Sequence, residues 1–131
     1  MPSSFDYALI RVVPRVERGE LINAGAIVSC PTQGYLAARI ALDAPRLLAL
    51  WPAVDVAEVE AALALVPLIA AGDPGGGPIA ALSRSERFHW LVAPRSAVIQ
   101  TSPVHTGLCD DPGAALDQLI ERLVAVRPVD R

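Results

Sequence analysis

The stretch from Phe5 to Val13 constrains the fold more than any other. Phe5, Tyr7, Leu9 and Val13 fall on one parity and Ala8, Ile10 and Val12 on the other, so a strand here is apolar on both faces. Such a strand needs cover on both sides, which predicts a central place in a sheet. Arg11 interrupts the first parity, and Pro14 stops ladder pairing. A charged turn follows from Arg15 to Glu20, with Gly19 able to take positive φ. Leu21 to Cys30 reads as a second strand and, after the turn at 31–34, Tyr35 to Leu42 as a third. The short connections predict an antiparallel meander.

Helical signals come next. Asp43 caps a short helix that Pro52 ends. Asp55 opens a longer one, with Glu58 three residues on and Val56, Val59, Leu63 and Val66 at helical spacing. Pro67 is expected to kink or end it. Gly72 to Pro78 reads as a long flexible loop. Ser83 with Glu86 starts a third helix that Pro94 closes, and Ala97 to Thr101 forms a fourth strand. Ser102 to Asp110 reads as an irregular connection. Asp111 as cap and Pro112 at the first helical position begin the last helix, striped by Leu116, Leu119, Ile120, Leu123 and Val124. The order β-β-β-α-α-α-β-α predicts a single α+β domain over 1–131, a small, mostly antiparallel sheet of about four strands with helices packed against it.

Composition excludes several chemistries. All eleven cationic side chains are Arg. Without Lys there is no Schiff base with a carbonyl substrate or pyridoxal group, no Walker-type phosphate loop and no kinase strand Lys. A GC-rich coding genome accounts for Arg in place of Lys, but not for where the cations sit. The apolar run Ala61 to Ala71 is too short to span a bilayer. Met1 to Asp6 shows no basic or apolar leader, so a signal peptide is not expected. Cys30 and Cys109 suit a reducing compartment, and the net charge of −3 offers no general attraction to nucleic acid or membrane. The expected location is the cytoplasm.

Two polar clusters interrupt apolar segments. One is Arg11, Arg15, Arg18, Glu20 and Asn23 around the first hairpin. The other is Arg84, Arg87, Arg95, Ser96, Gln100, His105 and Thr106 around the fourth strand. If that strand pairs beside the first, the clusters meet, and Arg forks with His and Asn make an anion site. The plainer alternative pairs Arg11 and Arg87 with Glu20, Glu17 or Asp6 and leaves the rest solvated. His105, Cys109, Asp110 and Asp111 lack the spaced second pair of a zinc site, so no metal is expected. Cys109 or Ser102 with His105 has neither elbow nor family signature, so no catalytic set is assigned. Gly75-Gly76-Gly77 lacks the context of a dinucleotide loop. Trp51 and Trp90 read as core or interface residues.

Tyr7-Ala8-Leu9-Ile10-Arg11-Val12-Val13-Pro14, followed by Arg18-Gly19-Glu20-Leu21-Ile22-Asn23-Ala24-Gly25, resembles the opening of bacterial domain-of-unknown-function family 3037. Arg87-Phe88, Arg95-Ser96, Ser102-Pro103-Val104-His105-Thr106-Gly107 and Asp111-Pro112 are similar to its second half. The resemblance implies no assigned activity or catalytic residue. Some members are encoded beside a HipA-like kinase, which makes such a kinase the partner it hints at. Its motif positions, Arg11, Arg18, Glu20, Asn23, Gly25, Arg87, Arg95, His105, Thr106 and Gly107, coincide with the two polar clusters.

Two functions follow as expectations. The first is a non-enzymatic protein-interaction domain whose polar face lies around the first hairpin and last loop. The alternative is a binder of a small anion or nucleotide through Arg11, Arg18, Arg87, Arg95 and His105, with weak phosphotransfer or hydrolytic chemistry at most. Homo-oligomerisation is compatible with either; no cofactor, membrane or nucleic acid is expected.

Overall fold

The computed structural model describes residues 2–126, so both ends of the 1–131 domain assignment, Met1 and residues 127–131, lie outside the described residues. The elements are β1 (Ser3–Val12), β2 (Ile22–Cys30), β3 (Tyr35–Ile40), α1 (Ala44–Leu50), α2 (Val56–Ala71), α3 (Arg84–Val92), β4 (Ile99–Thr101), β5 (His105–Cys109) and α4 (Pro112–Leu119), which runs on into one π turn, Ile120–Val124. The fold is α+β, an antiparallel sheet with helices on both faces.

Strand β1 is central, as its two apolar parities require. It pairs with β2 along one edge; β4 and β5 share the other. Strand β4 takes the far half of that edge (Ile10 opposite Thr101, Val12 opposite Ile99) and β5 the near half (Ser3 opposite Cys109, Tyr7 opposite His105). Ile10, Val12, Ile22 and Ile27 point to one face, where Leu47 of α1, Val59 and Leu63 of α2, and Phe88 and Leu91 of α3 cover them. Phe5, Ala26, Val28 and Cys30 point to the other, beneath Leu116, Ile120 and Val124. The sheet is therefore the middle of three layers.

Four sequence expectations are corrected. The connection from Ser102 to Asp110 contains β5, because the near half of β1 offers a free edge that the short segment His105–Cys109 completes. The fourth strand begins at Ile99 rather than Ala97. Pro67 does not end its helix: α2 continues to Ala71, with Ile69 and Ala70 buried in its last turn. Gly72, at φ 72°, then closes the helix by donating its N–H to the Ile69 carbonyl, and packing of that turn offsets the lost N–H of Pro67. The glycine-rich stretch after it also takes regular turns, one 3₁₀ turn at Pro74–Gly76 and another at Pro78–Ala81. Asp73 caps the first by accepting from the Gly75 N–H at 2.8 Å.

The anticipated caps are formed. Asp43 accepts from the Arg46 N–H, Asp55 from the Glu58 N–H, and Ser83 with Glu86 makes a reciprocal capping box. Asp111 accepts from the Gly113 N–H at 2.9 Å and the Ala114 N–H at 3.4 Å. Asp111→Ala is expected to cost about 1 kcal/mol in urea unfolding, the usual worth of such a cap.

Candidate functional site

Register places Arg11 between Asn23 of β2 and Gln100 of β4, so the three form one row on the α4 side of the sheet. Asn23 Nδ2 donates to the Leu123 carbonyl at 3.1 Å and ties the row to the π turn. Arg11 Nε and Asn23 Oδ1 are buried and have no hydrogen-bond partner among the described residues. The hairpin after β1 is different. Arg18 pairs with Glu20 at 2.5 Å, Arg15 pairs with Glu17, and both guanidinium groups lie over the Trp51 ring, at 4.7 Å for Arg15 and 5.9 Å for Arg18. Its own backbone and then Arg15 hold the Glu17 carboxyl below its usual value. Being exposed, these pairs add little stability.

Arg87 and Arg95 do structural work at helix ends. Arg87 donates to the Leu82 carbonyl at 2.7 Å and the Ala70 carbonyl at 3.4 Å, at the close of α2. Arg95 donates to the Trp90 and Ala93 carbonyls at the close of α3 and stacks 4.7 Å over the Trp90 ring. Both use the cation where the helix leaves carbonyls unpaired. His105 is exposed and packs its ring against Tyr7, centroids 5.4 Å apart. Thr106 donates its hydroxyl proton to Asp6 Oδ1 at 2.9 Å.

The structure thus brings Arg11 and Asn23 together with Gln100, and Arg18 together with Glu20. It sets Arg87 and Arg95 at the ends of α2 and α3, while the register of β5 puts His105 on the α4 side and Thr106 on the other. These residues surround no single point. Among the described residues no three His, Cys, Asp or Glu side chains gather into a group able to hold a metal ion. Cys109 makes a poor nucleophile: burial first, and then neighbouring Cys30, push its thiol up. Ser102 is held by the backbone, accepting from the Leu9 N–H at 2.8 Å and donating to the Pro103 carbonyl at 2.9 Å.

A family model described as a protein of unknown function, DUF3037, matches residues 7–124. The chain belongs to this family. No curated protein and no solved structure matches it. The match runs from inside β1 to the last residue of the π turn, so the DUF3037 unit takes in both helical layers and most of the sheet.

Two features of this DUF3037 chain were not singled out from sequence. One is the outer face of α2, whose signal was the unbroken apolar composition from Ala61 onward. The other is a polar row formed by Thr106, Asp6 and Ser29 on the face that carries α1 to α3, visible only once the strands are in register. No helix among the described residues is long and apolar enough to cross a membrane.

Proposed function

We propose that this DUF3037 chain is a protein-interaction domain rather than an enzyme, and that its docking partner is a second copy of itself. The observation that carries this reading is the composition of α2 set against its exposure. From Ala61 to Ala71 the helix holds no polar side chain. A helix apolar all round is ordinarily a buried one. Here Val59, Leu63, Ile69 and Ala70 are buried, while Ala57, Ala61, Ala64 and Leu65 are open to solvent, Leu65 at 46% exposure.

The apolar surface widens along one flank. A cleft of about 300 Å³ lies beside α2, lined by Trp51, Val54, Ala62, Val98 and Ile99. A second, of about 120 Å³, continues past Ala62 to Leu65, Trp90 and Arg95. Charge along this surface is self-complementary: Asp55 and Glu58 line the first cleft and Arg95 the second. A two-fold axis across the middle of α2 runs two helices antiparallel and sets the acidic end of each copy toward Arg95 of the other. That is the isologous arrangement of a symmetric dimer.

The anion-binding alternative has less support, because its residues surround no single point, Arg87 donates to backbone carbonyls and Arg18 is paired with Glu20. Cytoplasmic placement in a bacterial cell is part of the proposal and rests on the two free thiols, Cys30 and Cys109, which suit a reducing compartment.

Size-exclusion chromatography with light scattering tests the reading. The chain is expected to elute at twice its own mass at micromolar concentration. The Leu65→Arg variant should elute as a monomer with an unchanged circular dichroism spectrum. A wild-type monomer at every concentration, or recovery from the host in stoichiometric amount with a different protein, would overturn it.

A further inference from the structure

The face of the sheet beneath α1 to α3 changes character at one row. Ala8, Ile27 and Ala38 stand side by side as an apolar row, and in the next row Thr106, Asp6 and Ser29 lie across β5, β1 and β2. Three polar side chains occupy a place where the packing of helix on sheet calls for apolar ones.

The beginning of α3 lies above this row and leaves a cleft of about 230 Å³. Asp6 and Ser29 line it from the sheet, Arg84, Ser85 and His89 from the helix, and Phe88 supplies an apolar wall. Ser29 is only 6% exposed and stands in the wall of the cleft.

The two charged groups are positioned and unpaired. Asp6 is steadied by the Thr106 hydroxyl at 2.9 Å on one carboxylate oxygen, leaving the other for a ligand. Arg84 lies across the turn between β2 and β3, where a Cβ on Gly34 would stand 3.7 Å from its terminal nitrogens. The ion pairs among the described residues, Arg15 with Glu17, Arg18 with Glu20 and Arg39 with Asp117, include neither Asp6 nor Arg84. His89 donates its Nδ1 proton to the Ser85 carbonyl at 2.8 Å, which fixes the ring and leaves Nε2 uncommitted.

We propose that this cleft binds a small zwitterion of the α-amino-acid type. A carboxylate on the sheet wall and a guanidinium on the helix wall, too far apart to pair with each other, are complementary to an ammonium and a carboxylate on one small molecule. The ammonium goes to Asp6 and the Ser29 hydroxyl. The ligand carboxylate goes to the Arg84 fork, whose planar donors match it in bidentate fashion. Phe88 takes the side chain. The volume lies below the range of about 300–1,000 Å³ usual for drug-sized ligands, which favours a compact occupant over a nucleotide. The site is separate from the outer face of α2 and stands or falls without it.

The test is thermal melting of the full chain with individual free L-amino acids, followed by calorimetric titration of those that act. At least one amino acid is expected to raise the melting temperature saturably. Its amide and its amine-free carboxylate should not. Arg84→Gln, at an exposed position, and Ser29→Ala are each expected to weaken binding by about tenfold or more, with the ligand-free melt little changed. Asp6→Asn should act likewise. The proposal is overturned if no free amino acid shifts the melt, if the amine-free carboxylate binds as tightly as the parent, or if Arg84→Gln binds like the wild type.

Discussion

Replacing Gly25 with alanine is expected to cost about 3 kcal/mol or more and to lower the melting temperature by roughly 10 °C, at the upper end for overpacking a tight site. Gly25 lies opposite Ile10 on one side and Ile40 on the other, where the pairing of β1 with β2 slips by one residue. A Cβ there would stand 2.5 Å from the Arg39 carbonyl oxygen, 3.0 Å from Ile10 Cδ1 and 3.1 Å from Ile40 Cδ1. The isoleucine tips can rotate away. The carbonyl belongs to the backbone of β3, whose pairing with β2 locks it, so relief requires separating the strands. Glycine inside a strand marks this kind of close approach at a bulge. A Gly25→Ala chain that melts within a degree or two of the wild type would show that β2 and β3 are not in this register.

Ser102→Ala is expected to cost about 1–3 kcal/mol, the usual penalty for orphaning a buried donor. The edge of β1 is served by two short strands, and the break between them falls at Ser102-Pro103-Val104. Ser102 bridges the break. Its backbone N–H reaches the Leu9 carbonyl at 2.8 Å, and its hydroxyl oxygen accepts the Leu9 N–H, also at 2.8 Å. The side chain thus replaces a ladder acceptor in a segment where proline interrupts regular pairing. At 4% exposure no water reaches the site easily to take over. Ser102→Thr, which keeps the oxygen, should lose less than Ser102→Ala. Amide exchange at Leu9 reads the same bond directly: protection should fall in the alanine variant and persist in the threonine one. Equal protection in both would assign the bond no role.

These two residues show why a motif can be legible before its reason is. Gly25 and Ser102 both stand in the stretches that resemble the family, and both turn out to serve the sheet rather than a ligand. Arg87 and Arg95 follow the same pattern, donating to carbonyls at the ends of helical turns, although Arg87 Nε is buried without a partner among the described residues. An interruption of an apolar pattern looks alike in sequence whether the polar group satisfies the protein's own backbone or awaits an outside partner. Only the position of the acceptor distinguishes the two.

What could be read without coordinates was local. The two apolar parities of β1 called for a central strand, the short turns for a meander, and Asp43, Asp55, Ser83 and Asp111 marked helix starts within a residue or so, because caps and parities depend on neighbours a few positions apart. What the tertiary structure decided was long-range. His105–Cys109 becomes a strand through pairing with residues about a hundred positions earlier. Pro67 stays inside a helix because packing of the following turn outweighs the missing N–H. The candidate site is of the same kind: Asp6, Ser29 and Arg84 lie far apart along the chain, and only the register of β1 with β2, together with the docking of α3, sets an unpaired carboxylate across a cleft from an unpaired guanidinium.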